Sequence, residues 1–586
     1  MRAVQMPPRN RRQEMLASYP AWAQDLARRY LSRTISQFIL HGNVRDLVPV
    51  RSGRRSWRYM GLRDFLIEEL FASRDGVLLY DRGSGLRFSS PKAQQDFRHA
   101  LAAIDLIGGT SYAQQLPREP SRLFPILEQY FRLRLSEGRR IACILDFAET
   151  LVPQAEPAWY SAEERALLVT LQRWASDPLF LEADFTLVLI TENLADLARP
   201  LVQSPHHAAI RIPLPDEETR LAFIRSSLKG RRISRYTELA PEALAALTAG
   251  LRLEHLRQIL ADAIENRHRI STRSLIERKK ELIQAEAYGL LEFVETPYTL
   301  DMVAGHRAVK ALLRRAAEAI RQGRRDVLPM GYLVTGPVGT GKTFLISCFA
   351  GEIGIPMVRL RNFRSQWQGV TEGNLEKILG LLEAMNPVAV LIDEADAFLG
   401  DRHQEGDSGV SSRVFAMIAS FMSNTAYRGR IIWFLLTARP DLMPVDLKRQ
   451  GRAEEHLALF YPQSPEERQE LFWAMVRKTG AHFTGRIPAR LLEGEHALSG
   501  ADMEALLVRA KFEAASRGQE HIDESLLEEV LEDFLPPTYP LEVELQTLVA
   551  VLECTRRSLL PPAYRDADRE GLLRRVRELK RLLGES

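Results

Sequence analysis

Residues Gly336, Pro337, Val338, Gly339, Thr340, Gly341, Lys342 and Thr343 follow the apolar run Gly331–Thr335 and open a second apolar stretch at Phe344. They fit the spacing GxxxxGK[ST] in a strand–loop–helix setting. Glycines let successive backbone N–H groups curl around phosphate oxygens, and a helix start behind them adds a favourable dipole. In that arrangement Lys342 reaches the β- and γ-phosphates of ATP and the Thr343 hydroxyl ligates Mg²⁺. About 50 residues on, the run Val388–Ile392 ends in Asp393 and Glu394. A buried strand ending in paired acids is costly without a purpose. Asp393 suits Mg²⁺, and Glu394 suits polarisation of an attacking water.

Elements that position such residues are legible in the patterning. Apolar runs at Gln37–Leu40, Gly76–Tyr80, Ile141–Asp146, Phe185–Thr191 and Ala209–Pro213 alternate with helical stretches. The same occurs at Gly331–Thr335, Met357–Arg361, Val388–Asp393, Ile431–Thr437 and Glu455–Phe460. Strands alternating with helices predict parallel α/β sheets. Each half ends in a loop entering an acidic-started helix, at 213–220 and 461–468, the charge a helix N-terminus favours. A helical segment follows each. The expected unit is therefore a sheet plus a helical lid, used twice. His268–Leu291 reads as a charged connecting helix, and a helical extension follows Pro536-Pro537.

The 586 residues allow more than one core, with 79 Lys+Arg against 76 Asp+Glu for a net +3. That balance argues against a general nucleic-acid coat. Charge is uneven, however: residues 1–60 carry twelve arginines and three acids. Cys143, Cys348 and Cys554 are scattered, which excludes a disulfide scaffold and argues against zinc. We expect a reducing, cytoplasmic setting. No apolar run suits a membrane span, and the N-terminus lacks the apolar centre of a secretory signal.

The motif residues and their spacing resemble the AAA family of P-loop ATPases over roughly 298–536. Val303, Ala304 and Gly305 resemble the segment that family packs on adenine. Ser499-Gly500-Ala501-Asp-Met resembles its lid signature, with Gly500 and Ala501 near the base. Asp446-Leu-Lys-Arg449-Gln-Gly-Arg452 resembles the arginine-finger stretch, in which Arg449 and Arg452 enter a neighbouring subunit's site. The resemblance thus implies a homo-oligomeric ring, a hexamer. Trp367, Gln368 and Gly369 resemble the aromatic–x–Gly pore loop that grips an unfolded polypeptide, a task suited to an aromatic's area. One departure stands out. The family's usual Asn is replaced in Thr437-Ala438-Arg439. Ala438 cannot position water, so turnover is expected to be slow unless Thr437 substitutes.

The first half resembles a degraded copy. Asp146 ends a similar strand, but Phe147 stands where the catalytic Glu belongs, and no GxxxxGK[ST] occurs before residue 298. The nearest candidates, Leu40–Arg45 and Tyr80–Gly85, supply no Lys. The implied organisation is two AAA+ modules in tandem. Residues 1–215 form a degenerate α/β domain and 216–265 a first lid. A connecting helix at 266–297 leads to an active large subdomain at 298–462, a second lid at 463–536 and a C-terminal helical extension at 537–586. Thr248–Val294 and Asp407–Phe415 resemble tandem AAA proteins of prokaryotes, among them an ATPase of algal plastids and cyanobacteria.

Three readings follow. The leading one is an ATP-driven ring that remodels an unidentified protein substrate through a pore, hydrolysing ATP only in the second module. The alternative is a slow, nucleotide-gated assembly scaffold. Nucleic-acid remodelling, drawn from the basic ends, lacks a recognised module and ranks last.

Overall fold

The computed structural model describes residues 18–32, 35–51, 57–156, 158–361, 372–399, 410–493, 498–535 and 539–585. It divides into two units, residues 1–287 with 369–385, and 288–368 with 386–586.

The first unit contains β1 (Gln37–Gly42), β2 (Leu47–Arg51), β3 (Trp57–Gly61), β4 (Gly76–Asp81), β5 (Gly85–Phe88), β6 (Ile141–Leu145), β7 (Phe185–Ile190) and β8 (His207–Ile212). Six of these form one sheet in the order β5-β4-β6-β7-β1-β8. All its pairs are parallel except β4–β5. The strands read as unbroken apolar runs because both faces are covered. Ile39, Leu78, Cys143 and Leu187 point into one core, which contains the aromatic group Phe124, Phe131, Trp174 and Phe180. Their neighbours Phe38, Val77, Ala142 and Val188 point into the other. The period-2 alternation thus feeds two cores from one sheet.

Helices Glu217–Ser227, Pro241–Leu247, Leu253–Glu265 and Thr272–Glu286 follow β8. The last corrects the expected connecting helix. Leu275 and Ile270 are buried with Leu253, Leu256 and Leu260, so this helix belongs to the lid core. It stops before Tyr288 and Gly289, both at positive φ, and residues within 266–297 then form a strand.

That strand, β9 (Leu291–Phe293), belongs to the second unit with β10 (Gly331–Thr335), β11 (Met357–Leu360), β12 (Val388–Ile392), β13 (Ile431–Thr437) and β14 (Glu455–Ala458). The sheet order is β14-β10-β13-β12-β11-β9. The five parallel strands repeat the first unit's order, with β10 corresponding to β1 and β12 to β6. Each sheet adds an antiparallel edge strand on a different chain route: β5 follows β4 directly, whereas β9 precedes β10. The expectation of two parallel-sheet modules with helical lids therefore holds. The two antiparallel edge strands and the β2–β3 hairpin were not legible, since Pro49, Arg58, Arg87 and Glu292 interrupt their apolar runs.

The second lid packs Pro465–Thr479, Gly500–Ser516 and Glu524–Asp533 around Phe472, Leu506, Leu507 and Leu527. Beyond it, helices Pro540–Glu553 and Arg569–Leu582 pair through Leu545, Leu548, Val576 and Leu579. The first of them docks on the end of β14, where Ala550 and Val551 meet Ala458 and Phe460.

A histidine adds a titratable clamp to that docking. His456 Nδ1 lies 2.9 Å from the Glu553 carbonyl and 3.3 Å from its carboxylate, and Nε2 lies 2.9 Å from the Ala453 carbonyl. Burial disfavours the ring's charge, but the Glu553 contacts outweigh it and hold the pKa above the ordinary 6.5. A pKa raised on folding contributes stability in full below the unfolded value, and that stability is lost as pH rises through the folded value. The thermal midpoint of wild type minus that of His456→Gln should therefore shrink as pH rises from about 6 to 8. A pH-independent difference would exclude His456 as the titrating group.

Candidate functional site

The loop after β10 and the helix Lys342–Ala350 stand at the C-terminal edge of the second sheet, where ligand crevices form in open α/β folds. Gly336 leaves the strand at φ 145°, and a Cβ there would lie 2.2 Å from the Leu459 carbonyl. Gly339, at φ 79°, lies so close to the second lid that a Cβ would meet that of Ser499 at 2.7 Å. The Gly500 N–H donates to the Gly339 carbonyl at 3.2 Å. Only glycine admits both approaches.

Lys342 Nζ donates to the carbonyls of Gly336 at 2.7 Å and Pro337 at 2.9 Å. Burial lowers its pKa to about 8, against the opposing pull of Asp393 and Asp396. Thr343 Oγ1 donates to Asp393 Oδ2 at 2.9 Å, so a hydroxyl and a carboxylate from separate elements stand side by side. Such hard oxygen donors, few in number and open to water, suit Mg²⁺. Glu394 adopts the left-handed conformation at φ 48°, and its N–H donates to Asp393 Oδ1 at 3.1 Å. The turn holds the Asp393 carboxylate in place and leaves the Glu394 side chain exposed at the cavity.

That cavity, about 870 Å³, is lined by Val338 to Phe344, by Val303, Ala304 and Gly305, by Asp393 and Glu394, by Thr437 and Ala438, and by Gly500 and Ala501 of the lid. Sequence-distant candidates thus converge on one space, with Gly336 and Pro337 at the loop's root. The Gly305 N–H is held by Glu470 Oε2 at 3.1 Å, and the Val303 carbonyl by Lys310 at 2.6 Å. Lys478 lies 5.2 Å over the Phe344 ring. Thr437, almost fully buried, donates its hydroxyl proton to Asp396 at 2.6 Å and accepts the Arg439 N–H at 2.8 Å.

Arg449 and Arg452 are not brought to this cavity. Arg449 is 61% exposed, its Nε 3.4 Å from Asp446, and Arg452 donates to the Asp446 carbonyl at 2.9 Å. Trp367, Gln368 and Gly369 lie outside the described residues.

Sequence reasoning missed several lining groups. Asp396 is one turn past Asp393 on the strand-end helix and had a signal in the acidic spacing. His306, at φ 47°, has burial pushing its pKa down to about 4 and is neutral at pH 7. Gln546, Ser558 and Arg565 arrive from the C-terminal segment, and only the tertiary fold reveals them.

The first unit carries the same turn with Phe147 in place of the second acid. Phe147 repeats the left-handed conformation of Glu394 at φ 52°, and its N–H donates to Asp146 Oδ1 at 2.9 Å. Asp146 accepts from Arg45 Nη1 at 2.7 Å, and that guanidinium stacks 3.9 Å over the Phe147 ring. Of the two glycine-bearing candidates, 40–45 is the end of β1 and the start of its loop, and 80–85 is the β4–β5 turn.

Residues 332–461 match the family described as ATPase family associated with various cellular activities (AAA). Residues 8–213 match the AAA+ chaperone N-terminal Rossmann-like domain, and residues 218–288 the AAA+ chaperone second helical domain. The AAA domain-containing protein ycf46 of Trieres chinensis is 27% identical over 292 residues, 48% of this chain and 57% of that protein. The protein of that name from Guillardia theta is 26% identical over 376 residues, 62% of this chain and 72% of its own. The cell division cycle protein 48 homolog of Archaeoglobus fulgidus is 24% identical over 427 residues, 67% of this chain and 57% of its own. The chain thus spans little more than half the length of the first and third of these relatives.

Proposed function

Given that the chain belongs to the AAA family of ATPases, we propose that it is an ATP-driven ring that remodels protein substrates through a central pore and hydrolyses ATP in its second unit alone. The observation that carries this reading is the convergence of Lys342, the Thr343–Asp393 pair and Glu394 on one cavity. Lys342 binds the β- and γ-phosphates, the loop amides orient them, and Glu394 takes a proton from the attacking water. Thr343 and Asp393 would hold Mg²⁺, which when bound offsets phosphate charge. Val303, Ala304, Gly305, Gly500 and Ala501 enclose the base.

Arg449 and Arg452 complete a neighbour's site, a role supported by Arg449's exposure and by neither residue lining the chain's own cavity. Arginines acting in trans require a ring of like chains, which we take as a hexamer. The first unit is inert in this reading: Arg45 pairs Asp146, and Phe147 has no base to offer.

Coupling to substrate is assigned to Trp367 of the pore loop. Trp367→Ala should leave ATP hydrolysis within about twofold and abolish unfolding of a tagged fluorescent protein, because the loop grips by aromatic area. Unfolding that persists in the variant ends the threading reading. A slower, nucleotide-gated scaffold is favoured by one feature: Ala438 offers no polar group, and the Thr437 proton is engaged by Asp396. Sizing of the Glu394→Gln chain with and without ATP decides that version. A monomer under both conditions eliminates it.

A further inference from the structure

We propose that the C-terminal segment 540–585 is a built wall of the ATP cavity and that Gln546 is a positioning residue for the phosphate loop; this rests on the reading of that cavity as an ATP site. Gln546 is only 8% exposed, and its Oε1 accepts the Val338 N–H at 2.9 Å across 208 residues of sequence. On the other side, the Tyr461 hydroxyl donates to the Val338 carbonyl at 2.6 Å. The Val338 side chain itself is 51% exposed and fixes nothing. The loop is therefore pinned by both polar groups of one residue.

Position and chemistry give that pin its meaning. Burying an amide is unfavourable unless it is paired, and the amide here meets a loop N–H. A glycine-rich loop loses much conformational freedom when ordered. Anchoring it before nucleotide arrives removes part of the cost of binding. The same segment reaches the cavity's other working edge. Arg439, next to Ala438, donates to Glu585 at 2.7 Å and to Asp441 at 3.0 Å, while Lys580 lies 2.7 Å from Asp441. Ser558 to Pro562 line the same cavity. The segment thus holds both the phosphate loop and the end of β13.

The test uses the full chain with Gln546→Met, which keeps length but removes the acceptor, and Tyr461→Phe, which releases the opposite side. ADP affinity is read by calorimetry, and KM and kcat for ATP by steady-state hydrolysis. Losing one loop anchor should weaken ADP binding and raise KM about five- to tenfold with kcat within about twofold. Tyr461→Phe should shift both in the same direction, and the thermal midpoint should move little. Wild-type ADP affinity in Gln546→Met overturns the assignment. So does a parallel fall of affinity, kcat and thermal midpoint, the pattern of a loosened unit. A wild-type chain that binds no ADP overturns the ATP reading and the assignment together, which separates the two failures.

Discussion

Glu394→Gln is expected to lower the ATP hydrolysis rate by about 10²-fold or more while ADP affinity stays within about twofold, because a positioned general base contributes roughly 10²–10⁴-fold. The side chain follows Asp393 at a left-handed turn and is exposed at the cavity. The amide has the shape of the acid but cannot accept a proton. Asp393 remains in place, since it is held by the Glu394 N–H and the Thr343 hydroxyl. Single-turnover hydrolysis together with ADP calorimetry separates the two effects. Equal losses of rate and affinity would assign Glu394 to folding or binding and remove the base from the mechanism.

Lys342→Ala should weaken ADP and ATP binding by about 10–150-fold, the range for losing a charge-assisted hydrogen bond. A second signature has a defined sign. Burial holds the Lys342 pKa near 8, so near pH 8 about half the amines are neutral. Phosphate favours the charged form and raises that pKa, so nucleotide binding takes up a proton. Calorimetry of ADP in buffers of different ionisation heat should register net uptake near pH 8, and less at pH 6.5, where the amine is already charged. No difference between the two pH values would show that Lys342 does not meet the phosphates. The variant should lose the uptake as well as the affinity.

The two units show why some features were legible and others were not. Ten strand runs were readable because a sheet buried on both faces needs unbroken apolar stretches, and all ten are strands. The phosphate loop was readable because its glycines and lysine are consecutive. The shared left-handed turn at Phe147 and Glu394 was not, since neither residue type signals positive φ. The connecting helix was misread for a related reason. The charge of His268–Leu291 reads as a connecting helix, but Leu275 and Ile283 are buried, and which apolar face finds a partner is a tertiary matter.

What the sequence determined by itself was therefore local: the loop Gly336–Thr343, the Asp393-Glu394 strand end, the degraded copy at Asp146-Phe147, and two sheet-plus-lid modules. These features depend on consecutive residues and short periods. The tertiary structure decided which distant residues share the cavity. Gln546 sits in an apolar helix with no motif around it, and 208 residues separate it from the Val338 amide it meets. Such a contact follows from the docking of Ala550 and Val551 on Phe460. Packing of apolar surface is not directional, so only the folded chain specifies where the buried Gln546 amide will point.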